Sequence, residues 1–211
     1  QQYPEKVGME KLEYKTDYGV IKLDKLELDP SCVIILNNPA GYAFSQPLEL
    51  LYNMCNHVNA LLILDVSGSL GTNGCSGVFA DIIVGSFGKD KPVNLGTGGF
   101  ISVLNEHYLD AIEIEEPELD FDVLFDKLGN LGDRQKELRE ITNKVKEDLK
   151  GKEIIHPDKD GINVIVKFNN EQDKQDIISY CSDNKLEYTE CPRYIRVNEK
   201  AISIEIKRFE V

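Results

Sequence analysis

No run of apolar residues in this chain approaches the ~20 that a membrane-spanning helix needs. Ala60 to Leu64 is the longest wholly apolar stretch near the middle, and it has the length of a strand. No apolar stretch follows Gln1-Gln2-Tyr3-Pro4-Glu5-Lys6, so no secretory segment is read there. Positive charge is also in short supply. The chain has 24 Lys plus Arg against 37 Asp plus Glu, a net charge of −13. Such a chain repels phosphates, which argues against unaided binding to nucleic acid. Histidine is scarce: His57, His107 and His156 are the three, and none has a second ligand at a metal spacing. No metal is expected on that account. The cysteines, at 32, 55, 75, 181 and 191, are odd in number and form no CxxC. Zinc-ribbon and dithiol readings are therefore disfavoured, and a reducing, cytoplasmic setting is expected. There is no internal repeat. Gly96-Thr97-Gly98-Gly99 precedes a strand and not a helix, so it is no dinucleotide fingerprint.

What remains is an ordinary globular composition. The 211 residues, 41% hydrophobic, suffice to bury a core without staples. Val33 to Asn37 reads as a buried strand closed by the turn Asn37-Asn38-Pro39-Ala40-Gly41. Ser45 offers an N-cap, with Pro47 in the first turn of a helix carrying Leu51, Met54, Cys55 and Val58 on one face. Leu61–Val66, Asp81–Phe87 and Phe100–Leu104 read as three further strands. Apolar runs joined through a helix predict a mostly parallel α/β sheet. Residues 105–126 are crowded with Asp and Glu and read as an acidic linker with partly helical stretches. A helix is expected from Arg134 to Lys150, because Leu138, Ile141, Val145 and Leu149 share a face and Gly151 stops it. The tail reads as a small α+β unit: strand 162–168, helix 171–182, then strands 186–189, 194–197 and 201–207.

The chemistry-bearing residues lie between Asn37 and Gly99. Asp65 ends a buried strand, where open α/β sheets place ligand-binding groups. One strand later comes the turn Ser86-Phe87-Gly88-Lys89-Asp90-Lys91. An acid and a lysine on neighbouring strand ends could hold the two ends of a pyridoxal phosphate ring. The acid would keep the pyridine nitrogen protonated, and the lysine would supply the Schiff-base amine. The glycines at 96, 98 and 99 allow a tight return past such a group.

This segment resembles the fold-type I pyridoxal-phosphate enzymes, most closely the DegT/DnrJ/EryC1/StrS aminotransferase family. Asp65-Val66-Ser67-Gly68-Ser69-Leu70-Gly71 stands for that family's acidic strand end and loop. Asp81 to Phe87 stands for its strand ending in Ser-Phe, and Lys91, five residues after Ser86 and five before Gly96, stands for its lysine. The resemblance implies that Lys91 is the catalytic amine, with Lys89 the alternative if the oxoamine-synthase pattern Ser86-Phe87-Gly88-Lys89 is followed. It implies cofactor contacts from Asp65, Ser86, Asn37, Asn38 and Ser67. It also implies an amino-acid donor, a keto acceptor and a homodimer. Arg193 or Arg196 would grip a substrate carboxylate. The pattern departs from the family at Gly68, where a glutamine is usual, and in its short stretch before residue 33. The expected organisation is a partial transferase-like large domain over 1–105, the acidic linker over 106–131 and a small α+β domain over 132–211. The chain is expected to be part of a split or trimmed enzyme that pairs with a missing N-terminal half. The rival class is a non-catalytic homologue acting as an interaction or regulatory protein. A third reading takes Asp65-x-Ser67-x-Ser69 as the magnesium signature of von Willebrand A domains.

Overall fold

The computed structural model describes residues 3–6, 8–113, 118–192 and 197–209. After a helical turn α1 (Tyr3–Lys6), the first sheet is built from β1 (Val33–Asn37), β2 (Leu61–Asp65), β3 (Ile82–Ser86) and β4 (Gly99–Val103), in that spatial order. β1, β2 and β3 run parallel; β4 returns antiparallel to β3. The mostly parallel sheet expected from the sequence is thus present, with each strand end within about two residues of expectation, inside the usual uncertainty of element boundaries.

Helix α2 (Leu48–Val58) links β1 to β2 and seals one face of this sheet. Its Leu51 and Cys55 pack on Ile34, Leu36, Leu62, Leu64, Ile83 and Phe100. The expected Ser45 cap is corrected. Pro47 takes the N-cap position without a side-chain bond, and the Ser45 hydroxyl instead accepts the Asp160 N–H at 3.3 Å. The helix ends at Asn59 in the left-handed conformation (φ 58°), where the Ala60 N–H closes onto the Cys55 carbonyl.

The opposite face carries the row Ile35, Ile63, Ile82, Val103 and the row Asn37, Asp65, Val84, Ile101. None of these apolar residues belongs to a core cluster; Ile35 is 65% exposed and Ile101 48%. Parallel strands of this composition are ordinarily covered on both sides.

The acidic stretch is more structured than a linker. Asp120 caps α3 (Phe121–Gly129) through the Val123 N–H, and Leu124 enters the first core. Asn130 then separates α3 from α4 (Leu131–Asp148), so α4 begins three residues before the expected Arg134. Leu131 packs in the first core, and Leu138 and Val145 in a second.

The second sheet has the order β5 (Glu153–Ile154), β6 (Val164–Lys167), β8 (Ala201–Ile204), β7 (Tyr188–Cys191), and is antiparallel throughout. α4 and α5 (Glu171–Asp183) cover the face of Val164, Val166, Ile202 and Ile204. Its other face (Ile165, Ala201 and Cys191) packs on Val20, Ala40, Ala43 and Phe44. This third cluster joins the two sheets. The strand expected at 201–207 ends at Ile204 and passes into a 3-10 turn, Ile206–Arg208. The strand expected at 194–197, and with it Arg193 and Arg196, lies essentially outside the described residues. Among the described residues no helix is long and apolar enough to cross a membrane.

Candidate functional site

Asp65 closes β2 with both carboxylate oxygens engaged. Oδ2 accepts from Asn37 Nδ2 at 3.1 Å, and Oδ1 from the Ser67 N–H at 2.9 Å. Each oxygen retains a second lone pair for a further donor. Asn37 is positioned by register, directly opposite Asp65 across the β1–β2 ladder. Ser67 is buried, and its hydroxyl accepts the Ser86 N–H at 2.9 Å, tying the end of β3 to the loop after β2. The Ser86 hydroxyl accepts the Gly88 N–H at 3.1 Å, which leaves its own proton available.

Asn38 has a structural job. It is buried, its Nδ2 donates to the Gly74 carbonyl at 3.1 Å, and its Oδ1 accepts the Gln46 N–H at 3.0 Å. Its amide nitrogen and oxygen are both spent within the protein. Ser69 is likewise consumed: its hydroxyl donates to the Asn38 carbonyl at 2.9 Å. Among the described residues no group of three His, Cys, Asp or Glu could hold a metal ion.

The two candidate lysines part company. Lys89 is exposed. Lys91 is half-buried, and its ammonium donates to the Tyr42 hydroxyl while lying 4.6 Å from the centre of that ring. Tyr42 was not legible as a site residue in the sequence. It sits in the turn after β1 with φ 65°, a left-handed conformation that side chains other than Gly, Asn and Asp rarely adopt. The turn is held from both sides: the Tyr42 N–H donates to the Pro39 carbonyl at 3.1 Å, and its carbonyl accepts the Ile162 N–H at 2.7 Å. Its ring lies against Gly68, where an added Cβ would stand 2.8 Å from Tyr42 Cδ1 and 3.0 Å from Pro39 Cδ. The glycine that departs from the family pattern is therefore the one that makes room for this tyrosine.

The second unit also reaches the site, through residues that local sequence patterns could not link to it. Lys207 Nζ lies 4.3 Å from the centre of the Tyr42 ring. Burial, with Lys91 and Arg208 nearby, holds Lys207 below the ordinary lysine range, against the opposing pull of Glu205. Glu205 is buried, 3.7 Å from Lys207 Nζ, and accepts from Asn163 Nδ2 at 3.2 Å and Ser203 Oγ at 2.9 Å.

Burial, reinforced by the charges of Asp65 and Glu205, pushes the Tyr42 phenol from 10 up to about 12. A raised value stabilises the fold below the unfolded pKa of 10, and that contribution disappears as pH rises through 12. Stability should thus fall between pH 10 and 12 by on the order of 2 kcal/mol on account of this group. Urea unfolding of the parent and of Tyr42→Phe across that window measures it: the variant should show a shallower loss. Equal slopes would remove Tyr42 as the cause. The thiols of Cys55, Cys181 and Cys191 are pushed up to about 11, in each case chiefly by burial, which makes them poor nucleophiles at neutral pH.

An acid ends β2, an available hydroxyl ends β3 and a primary amine follows in the next loop, so these residue types fit the chemistry of the two ends of a pyridoxal phosphate group. The space beside the amine is filled by the Tyr42 ring, so room must be made for the group.

Comparison with known proteins adds to this picture. The family model for the MJ1341 family C-terminal domain matches residues 133–211, which is the second sheet with its helices. A search of curated proteins found no match. Among solved structures, the aspartate aminotransferase of subgroup IV from Thermus thermophilus superposes with a TM-score of 0.67 at 12% identity, over 97% of this chain and 67% of that one. A DegT DnrJ EryC1 StrS aminotransferase from Brucella abortus gives 0.60 at 15% identity, over 82% and 59%. A serine palmitoyltransferase from S. paucimobilis with bound PLP–myriocin aldimine gives 0.59 at 14% identity, over 84% and 50%. The chain thus spans 59% and 50% of the last two. At these identities the likeness is one of fold: this is a mixed α/β chain with the architecture of the pyridoxal-phosphate transferases.

Proposed function

We propose that this chain is the lysine-bearing part of a pyridoxal-phosphate-dependent aminotransferase of the DegT type. The carrying observation is that Asp65 and the loop bearing Lys91 follow neighbouring parallel strands, β2 and β3, at their carboxyl ends. When bound, the cofactor supplies an electron sink for the bonds of an amino acid's alpha carbon. Asp65 would accept a hydrogen bond from the pyridinium N–H, oriented by Asn37 and the Ser67 N–H. Ser86 would donate its free proton to the phosphate. Lys91 would meet the cofactor's aldehyde carbon and afterwards hold and return the proton of the alpha carbon. An amino-acid donor and a keto acceptor are the substrate class this implies. The buried, unpaired thiols support a reducing, cytoplasmic setting.

The open sheet face supports a partner. Asp65 lies on that face beside Ile63 and Val84, so a chain laid over Ile35, Ile63 and Ile82 would also roof the site. The division into a transferase-like portion, an acidic connection and a C-terminal α+β unit is part of this reading.

The test is a titration of the purified chain with pyridoxal phosphate, then borohydride reduction and peptide mapping. The expected result is a saturable visible band and label on Lys91. Lys91→Ala should abolish the band, and Lys89→Ala should leave it. Label on Lys89, or no saturable band, would overturn the assignment.

A further inference from the structure

We propose that Tyr42 is a gate on the Lys91 amine, holding it out of reach of electrophiles until the ring is displaced. The inference rests on the reading of Lys91 as the reactive amine and deepens it. Three contacts carry it. The Tyr42 hydroxyl accepts the Lys91 ammonium, so the nitrogen is occupied by a protein group. The Tyr42 ring fills the space above Gly68, which no side chain larger than hydrogen could share with it. Lys207 lies over the same ring from the second unit, and the Ile162 N–H grips the Tyr42 carbonyl, so the gate is held by both units.

The backbone agrees with this role. A tyrosine at φ 65° is retained only where its surroundings hold it, and such positions concentrate at sites that switch. Two structural features would oppose opening: the hydrogen bond to Lys91 and the apolar seat on Gly68 and Pro39. Removing either should expose the amine without touching Lys91 itself. Lys89, exposed and two residues away, is an internal standard.

The experiment uses trace acetic anhydride on the full chain, with the acetylation rate of each lysine read by peptide mapping. In this reaction the amine nitrogen forms a bond to the acyl carbon, acetate leaves, and the nitrogen's proton passes to solvent. In the parent, Lys91 should acetylate more slowly than Lys89. Tyr42→Phe keeps the ring and removes the hydroxyl; it should raise the Lys91 rate about fivefold, the factor corresponding to one ordinary hydrogen bond, and leave Lys89 unchanged. Gly68→Ala keeps Tyr42 and pushes its ring; it should move Lys91 the same way. Each variant's urea midpoint reports whether it is folded. Lys91 acetylating as fast as Lys89 in the parent, or unchanged in both variants, would overturn the gate. Faster acetylation in the variants with no pyridoxal phosphate band keeps the gate and overturns the cofactor reading. A band on Lys91 with no acceleration overturns the gate alone.

Discussion

Gly161→Ala is expected to destabilise the chain by about 3 kcal/mol or more, the upper end of what overpacking costs. A Cβ at this position would lie 2.3 Å from the Ala43 carbonyl oxygen, 2.4 Å from its carbon and 2.6 Å from its Cα. All three are backbone atoms, so no side-chain rotation relieves the overlap, and the two segments must separate. Gly161 occupies the join between the sheets. On one side Asp160 N–H donates to Ser45, and on the other Ile162 N–H donates to Tyr42. Separation therefore breaks the hold on the Tyr42 turn and loosens the cluster of Ala40, Ala43 and Phe44 against Ile165 and Ala201. Lys91 should become more reactive in the same variant, which couples the structural effect to the site. Gly132→Ala is the control. Nothing lies within 4 Å of a Cβ there, and the residue sits in α4, where alanine gains up to about 1 kcal/mol over glycine. Urea midpoints at unchanged slope measure both. A Gly161→Ala midpoint equal to the parent's would mean that the two segments do not pack this closely.

The first sheet could be read from the chain because its signals are local. Val33–Asn37 and Leu61–Asp65 are apolar runs cut off by polar or Gly/Pro turns, and the structure places strands there. Helical stretches were expected within 105–126 and are present, but the bounds of α3 were obscured for a physical reason. Asp and Glu dominate 113–126, and a high charge density reads as solvated chain, although Leu124 and Leu128 stand at helical spacing. The start of α4 was misjudged because Gly129, Asn130 and Gly132 read together as a break, whereas Asn130 alone separates the two helices and Gly132 lies inside the second. Near the candidate site, Asp65 was named from its strand-end position, and Asn37, Ser67, Ser86 and Lys91 from the family resemblance; the structure sets Asn37 against Asp65 and Ser67 against Ser86. Tyr42, Lys207 and Glu205 were not named, because their meeting is purely tertiary: Tyr42 follows β1 of the first sheet, and Glu205 and Lys207 follow β8 of the second. The nearest sequence signal was Gly68, an unexplained departure whose cause is the ring packed against it.

Glu205→Ala should cost about 3–5 kcal/mol, because it leaves buried partners without their counter-charge. The carboxylate is buried and serves Asn163, Ser203 and Lys207, with Arg208 Nε 3.9 Å away. Truncation strands two neutral donors and one half-buried cation together. Two comparisons separate these contributions. Glu205→Gln retains an acceptor and loses the charge, so its smaller deficit isolates the electrostatic part. Adding Lys207→Met to Glu205→Gln should recover stability, since the stranded cation is gone, and the double variant should be less destabilised than the two single effects combined. The pH dependence fixes the sign. Lys207 already sits below the ordinary lysine value through burial, then through Lys91 and Arg208, with Glu205 and Asp90 opposing. Without Glu205 that depression deepens. A lysine depressed in the folded state binds fewer protons there than in the unfolded chain, so stability rises with pH towards the unfolded value. The deficit of Glu205→Ala relative to the parent should therefore shrink as pH rises from neutrality towards about 10, and Lys207→Met should abolish that slope. Tyr42, held up to about 12 in the parent chiefly by burial, titrates above most of this window. A deficit constant with pH would assign the loss to Asn163 and Ser203 alone, and would remove Lys207 from the set of residues whose charge the fold has to neutralise beside Tyr42.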